Sequence, residues 1–416
     1  MKTLLQINVS ANSGSIGIIA EEIGSLVMKE EGWDSYIAYG RRSTNSNNKL
    51  IRIGKKPDFI RHAIETRLFD NHGFASKYAT LKFLKIIDAI KPDIIHLHNL
   101  HGYYINIDIL FKYLSQKAIP VVWTLHDCWA FTGHCSHFDS INCTKWETAC
   151  YKCEKKHKYP QSLLLDSSNK NFFRKKHLFH LVDNLILVSV SNWLAGQIRK
   201  SFLNDNQLVV IHNGVNTNTF MPATNIAINK EKKGFKNKFV IIGVANVWNE
   251  SKVLYDFFKL SKIIDNDCII ILVGVNKKQM KKLPGNIIGV GRTENKMELA
   301  NLYSVADICM NLSIQESFGL TSIESMACGT PVLVYNKTAL PEIVNNDVGW
   351  IIQAKDFNTI LNVIKMVKNE NPQNTYNRRL KCRDYVVGNF DKNLKYKEYI
   401  KLYQKLLRDN NYNSTT

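Results

Sequence analysis

The feature that most constrains the fold is a repeated alternation of short apolar runs with stretches of helical periodicity. In the first half the runs fall at 4–9, 36–39, 94–97, 121–125 and 185–190, and GSIGIIAEEIGSLVMKE, starting at Gly14, is the first helical stretch between them. Strand-then-helix repetition needs crossover connections, so it predicts parallel sheets covered by helices on both faces. A second series of the same order begins near Phe239. The chain is therefore expected to be α/β, with two doubly wound, Rossmann-like domains, which suits its 416 residues. Turn formers and charges crowd residues 213–235 and mark a boundary there. The expected division is 1–215, with an insertion at 128–160, then 216–385, then 386–416. In that last segment Phe390, Leu394, Tyr399, Tyr403 and Leu406 recur at helical spacing. In open parallel sheets ligands bind beyond the carboxyl ends of the strands. Two such domains facing each other would place a cleft between those ends.

Within the second series, residues 316–324 read ESFGLTSIE. Glu316, Ser317 and the permissive Gly319 form a polar loop, and a helical pattern then opens. Ile323, Met326 and Ala327 suit its buried face, and Gly329-Thr330-Pro331 stops it. The N–H groups at such a helix start attract phosphate, helped by the helix dipole. Glu324 would accept hydrogen bonds from hydroxyls and repel a bare phosphate. A sugar nucleotide carries both kinds of group. A helix-capping loop with solvated glutamates is the alternative on local grounds.

The segment resembles the E-x7-E signature of the retaining glycosyltransferases of family 4, which have the GT-B fold. The resemblance extends to FVIIGVA at 239–245, IIILVGV at 269–275, LYSVADICMNL at 302–312 and ALPEIV at 339–344. IHNGVNTNTF at 211–220 looks like the family's inter-domain connector. DIIHLHNLHGYY at 93–104 and WTLHDCWAFTGHC at 123–135 look like a subgroup acting in bacterial surface-polysaccharide assembly (colanic acid, capsule, O-antigen). The resemblance implies a sugar transfer from a nucleotide-sugar donor to a hydroxyl of a lipid-linked glycan. It assigns Glu324 to the donor's ribose hydroxyls and Glu316 to the transferred sugar, with backbone groups of Phe318, Gly319, Leu320 and Thr321 on sugar and pyrophosphate. It also implies a final helix crossing back to the first domain, and no catalytic metal. The family's usual pyrophosphate clamp is an Arg and a Lys after the first strand of the second domain. Here Lys252 matches the Lys, but no cation stands near Val247, and the usual following Gly is Val253. Arg292 is a candidate to compensate, or a surface charge. Residues 289–293 would neighbour the base, and Glu342 resembles another recurrent position.

In the first domain, Gly14 and Gly17 follow the first strand and open a helix, where a diphosphate could approach the backbone. His126 and Asp127 follow the run VVWTL, at a strand's carboxyl end. The resemblance sets His126 near the reacting sugar; a structural histidine is the alternative. His96 and His98 alternate along one strand face, with His98 and Asn99 nearer the strand end and His96 packing inside. His101 is left open.

A formal charge of +19 favours an anionic partner. No nucleic-acid-binding motif is present, so nucleic acid is not expected. The local cluster NKNFFRKKHLFH at 169–180 mixes Lys170, Arg174, Lys175 and Lys176 with Phe172, Phe173, Leu178 and Phe179. It suits either an anionic lipid surface or a helix with one core-facing side. No apolar run approaches the roughly 20 residues needed to span a bilayer. MKTLLQINVSANSG turns polar too early for a signal peptide, so the expected location is the cytoplasm, at the inner membrane face. Nine cysteines there argue against disulfides. Cys135, Cys143, Cys150 and Cys153 have the count and reach for a structural zinc site, in which His134, His137 or His157 could replace one ligand. Four reduced cysteines in an insertion are the alternative. The competing functions are another enzyme on the same scaffold (an epimerase or a phosphorylase) and a glycan- or nucleic-acid-binding protein without catalysis.

Overall fold

The computed structural model describes residues 1–248 and 253–413. It forms two compact units, one of Met1–His212 with Lys395–Thr416 and one of Asn213–Leu394. Lys252 lies outside the described residues.

The first unit is built on a parallel sheet of seven strands: β1 (Thr3–Ala11), β2 (Asp34–Ser43), β3 (Lys49–Arg52), β4 (Ile94–Leu97), β5 (Val121–Leu125), β6 (Leu185–Ser189) and β7 (Gln207–Val210). Their order is β3-β2-β1-β4-β5-β6-β7, so the winding reverses between β1 and β4. Leu4 pairs with Ile94 and Ile7 with Leu97 across that switch point. Every residue of β4, β5 and β6 is buried. Parallel strands covered on both faces need such unbroken apolar runs.

The last helix, Lys392–Asn413, belongs to this unit from Lys395 onward. Its Tyr396, Tyr399, Ile400 and Tyr403 share a core with Leu4, Ile23, Ile94, Val122 and Ile186. Polar atoms inside this core are paired. The Tyr403 hydroxyl meets His96 Nδ1 at 2.7 Å, His96 Nε2 meets Thr124 Oγ1 at 2.8 Å, and Thr124 meets the Tyr399 hydroxyl at 3.1 Å. His96 therefore packs inside, as expected.

The second unit repeats the plan with six parallel strands: β8 (Phe239–Val244), β9 (Cys268–Val273), β10 (Ile287–Val290), β11 (Ile308–Asn311), β12 (Val332–Tyr335) and β13 (Gly349–Ile352). The order is β10-β9-β8-β11-β12-β13, with the reversal between β8 and β11. Ile241, Phe257, Ile270, Leu272, Ile308, Met310 and Leu333 form its core. Just before β11, Asp307 accepts hydrogen bonds from the Val240 N–H and Lys230 Nζ, both at 2.7 Å.

The basic segment at 169–180 follows the second of its two readings, a helix with one core-facing side. It forms the helix Ser168–Phe179, with Phe172, Lys175, Leu178 and Phe179 buried. Lys175 does not face lipid. Its ammonium donates to the Trp129 carbonyl at 2.7 Å and the Thr132 carbonyl at 3.1 Å, and lies 3.5 Å from the Trp129 ring centre. Burial pulls its pKa down to about 7. Arg174 pairs with Asp108 at 2.8 Å. Lys170, Phe173 and Lys176 keep the exposure that a lipid-facing surface needs.

Replacing Tyr403 by Phe removes one hydroxyl and leaves His96 Nδ1 buried without its partner. We expect a loss of about 1–3 kcal/mol in chemical denaturation. An unchanged midpoint would mean that the Tyr403–His96 bond carries no weight in docking the last helix.

Candidate active site

In the second unit the loop after β11 leads through Glu316, Ser317 and Phe318 into the helix Leu320–Ala327. The helix buries Ile323, Met326 and Ala327, as its spacing predicts. Gly319 caps its start with φ 104°. A Cβ at that position would meet Leu340 and Ile343 side chains at 2.9 Å, so the sharp entry depends on glycine. The first intrahelical bonds run from the Ser322 and Ile323 N–H groups back to the Gly319 carbonyl. The amides of Leu320 and Thr321 precede them, in the positive end of the helix.

Loop and helix are tied down from below and behind. The Glu316 N–H donates to Thr338 Oγ1 at 3.0 Å, and its carbonyl accepts from the Ala339 N–H at 3.2 Å. Asn311, at the end of β11, donates through Nδ2 to Ser322 Oγ at 3.1 Å and to Thr321 Oγ1 at 3.4 Å. Phe318 is buried, with its ring edge-on to Phe390.

Glu324 accepts a hydrogen bond from the Tyr303 hydroxyl at 3.3 Å. Tyr303 lies on the helix Lys296–Val305, so neighbouring helices contribute to one polar spot. Burial raises the Glu324 carboxyl to about 7, against the smaller opposing effects of Lys296 and Tyr303. A carboxyl poised there is a hydrogen-bond acceptor for hydroxyls whose strength changes near neutral pH.

The remaining candidates of this unit are more scattered. Arg292 is exposed in the loop after β10. Val253 opens the helix Leu254–Ser261 at φ 45° and ψ 51°. A left-handed backbone costs a β-branched residue of order 1–3 kcal/mol, and this is the position where the family pattern has glycine. Trp248, in the loop after β8, is buried and donates to the Val273 carbonyl at 2.9 Å.

In the first unit, the ends of β4 and β5 bring His98, Asn99, His101, His126, Asp127 and Trp129 around one pocket. His98 Nδ1 lies 3.1 Å from His126 Nε2, and His98 Nε2 lies 3.1 Å from Gln6 Oε1. The tautomers follow from the partners. Gln6 donates its Nε2 to the Ala20 carbonyl at 2.8 Å, so its Oε1 faces His98 and accepts. His98 must then carry its proton on Nε2 and accept at Nδ1. His126 in turn donates from Nε2, so the lone pair of its neutral ring is on Nδ1. Burial lowers His126 to about 4 and His98 well below its usual value, which keeps both rings neutral at pH 7.

Asp127 belongs to a second chain of bonds. Its Oδ2 meets His101 Nε2 at 2.7 Å, and its Oδ1 accepts from the Trp129 N–H at 2.9 Å. Burial opposes the charge on Asp127, but His101 and the Trp129 amide outweigh it and hold the carboxyl at about 2. His101 Nδ1 reaches the Tyr159 hydroxyl at 2.9 Å. Asn99 is fixed through its backbone, with its N–H donating to Asn8 Oδ1 at 3.3 Å and its carbonyl accepting from Tyr104 at 2.8 Å.

Gly14 starts the helix Gly14–Glu31 directly after β1. Gly17 lies on the same helix, where a Cβ would come within 2.8 Å of Ser10 Oγ and 3.1 Å of its carbonyl oxygen. Its glycine lets the helix pack closely on the strand. Cys135, Cys143, Cys150 and Cys153 line a separate pocket in the insertion. Gln6, His101 and Tyr159 are polar members of the first unit's site that motif spacing does not mark as ligands.

The chain matches two family models, "Glycosyltransferase Family 4" over residues 27–219 and "Glycosyl transferases group 1" over residues 224–386. It is 22% identical over 421 residues to the putative colanic acid biosynthesis glycosyl transferase WcaC of Escherichia coli K12, covering 97% of this chain and 100% of that one. It is 26% identical over 208 residues to an Escherichia coli UDP-Gal:alpha-D-GlcNAc-diphosphoundecaprenol alpha-1,3-galactosyltransferase, covering 47% of this chain and 53% of that one. Among solved structures, Anabaena HepE in complex with UDP-glucose superposes with a TM-score of 0.64 at 14% identity, covering 96% of this chain and 100% of that one, which establishes a common fold. The two sheets are thus the Rossmann-like halves of a GT-B architecture, and with family models matching both of them the chain belongs to the family 4 glycosyltransferases.

Proposed function

We propose that this protein is a retaining glycosyltransferase that moves a sugar from a nucleotide-sugar donor to a hydroxyl of a lipid-linked glycan during bacterial surface-polysaccharide assembly. The observation that carries the reading is the capped helix start at Gly319 with Glu324 one turn behind it. Its amides suit a diphosphate, and the Glu324 carboxylate suits the two adjacent hydroxyls of a ribose. Glu316, held by its backbone to Thr338 and Ala339, takes the transferred sugar. The names of the relatives support the pathway, and the undecaprenyl diphosphate in one of them supports a lipid-linked acceptor.

In this reading the bond between the sugar's anomeric carbon and the diphosphate breaks, and the acceptor oxygen forms its bond on the same face. The acceptor proton passes to the departing phosphate oxygen, so no enzyme nucleophile is needed. The amides of Leu320 and Thr321, with Lys252, offset the charge that develops on the leaving group. No metal is assigned to that task. The first unit carries His126 as a hydrogen-bonding group for a sugar hydroxyl and Asp127, which stays ionised beside His101.

Contact with an anionic membrane surface is supported by exposed apolar residues of the first unit. Leu163, Leu164 and Leu165 are exposed beside the end of the helix Lys56–Phe69, which itself exposes Ile60, Ile64 and Phe69 together with Arg61 and Arg67. No helix among the described residues is long and apolar enough to cross a membrane.

Glu316→Ala and Glu324→Ala are each expected to abolish transfer while thermal unfolding stays close to that of the parent. Turnover at the parent rate in both variants would sink the assignment. The pH dependence is a separate check. With the Glu324 carboxyl near 7, its ionised fraction rises from about a tenth at pH 6 to about nine tenths at pH 8. Affinity for a nucleotide sugar, whose diphosphate does not titrate in that range, should therefore rise about tenfold across it. Glu324→Gln should flatten the profile; an unchanged profile in that variant would remove Glu324 from the donor site.

A further inference from the structure

The insertion after β5 folds around a pocket separate from the residues assigned to transfer. Its wall carries Cys135, Cys143, Cys150 and Cys153 together with His134. All four cysteines are free thiols. Cys135 is buried, and Cys143, Cys150 and Cys153 are half-buried. The Cys150 sulfur accepts the Gly133 N–H at 3.2 Å. Soft ligands at this density, in a segment with no strand or α-helix of its own, are a recurrent basis for a structural metal site.

His134 points to a ligand independently of the cysteines. Its side chain is fully buried, and Nδ1 lies 2.5 Å from Oδ1 of Asp70, which is buried too. Asp70 is held in turn, since its Oδ2 accepts the Ser167 N–H at 2.9 Å. The carboxylate fixes the imidazole proton on Nδ1, so Nε2 carries the lone pair. That buried Nε2 has no hydrogen-bond partner. An orphaned buried nitrogen is costly, and a histidine oriented by a carboxylate with its other nitrogen open is the usual form of a metal-binding imidazole. His134 shares the wall of this one pocket with the four thiols.

We infer that this pocket holds one structural zinc ion on the sulfurs of Cys135, Cys150 and Cys153 and on Nε2 of His134, with Asp70 orienting the ring. His134 thereby takes the place of Cys143 in the four-cysteine set that spacing suggests. Tetrahedral zinc wants Zn–S near ~2.3 Å and Zn–N near ~2.0 Å, so binding draws the thiols inward by side-chain rotation. Three thiolates exceed the charge of the ion, and buried Lys175, which donates to the Thr132 carbonyl two residues before His134, supplies a basic group nearby. The tighter grouping of Asp265, Asp267 and Cys268 is a different case, because Lys368 bridges both of its carboxylates at 2.8 Å. Zinc at His134 would clamp the loop that follows Asp127 and tie it to Asp70, far upstream in the chain.

Metal analysis of the full-length protein should find one zinc per chain, and cobalt(II) substitution should give the ligand-field bands of a tetrahedral site with thiolate charge transfer. Cys143→Ser should retain the metal, and His134→Ala or Cys150→Ser should lose it. Asp70→Asn should weaken metal affinity about 10–100-fold. Should the last three variants fail to fold, the zinc content and cobalt spectrum of the parent and of Cys143→Ser still decide. A parent protein without bound metal, a disulfide between Cys135 and Cys153 in its place, or metal lost in Cys143→Ser and kept in His134→Ala would each overturn the proposal.

Discussion

The structure depends on parallel strands that are covered on both faces. With β4, β5 and β6 buried along their whole length, the sheet interior leaves little room for polar chemistry. The polar groups gather instead in the loops at the strands' carboxyl ends, beside the two points where the winding reverses. His98 and His126 leave β4 and β5 there, and Glu316 and Glu324 follow β11 in the second unit. One constraint on backbone hydrogen bonding thus sets where each unit can act.

Within those loops, exact side-chain placement comes from buried polar pairs. Gln6 reaches His98, His98 reaches His126, and the chain of donors leaves one defined tautomer on each ring. His101 holds Asp127 ionised although burial works against its charge. Asn311 and Tyr303 hold the helix of Glu324 from two sides. Low dielectric makes each of these pairs expensive to leave half made, which is why they can orient groups that must meet a ligand.

Much of this was legible from the chain's pattern. Continuous apolar runs announce β4, β5 and β6, and ESFGLTSIE announces a capped helix with Ile323, Met326 and Ala327 inside. The short edge strand Lys49–Arg52 carries exposed charges and gives no such signal. Pairings across long stretches of chain were equally silent. Nothing local links His101 to Tyr159, Asp70 to His134, or Tyr403 to His96. Lys175 misleads for a related reason: it sits in a basic run, yet its flexible stem carries the ammonium inward to two carbonyls.

The central claim is that the segment from Glu316 to Glu324 holds the diphosphate and ribose of a nucleotide-sugar donor. Amide hydrogen exchange with and without saturating nucleotide diphosphate sugar tests it most directly. The account predicts that protection on binding concentrates at the amides of Gly319, Leu320 and Thr321. A bound nucleotide sugar that leaves those amides unprotected would contradict it.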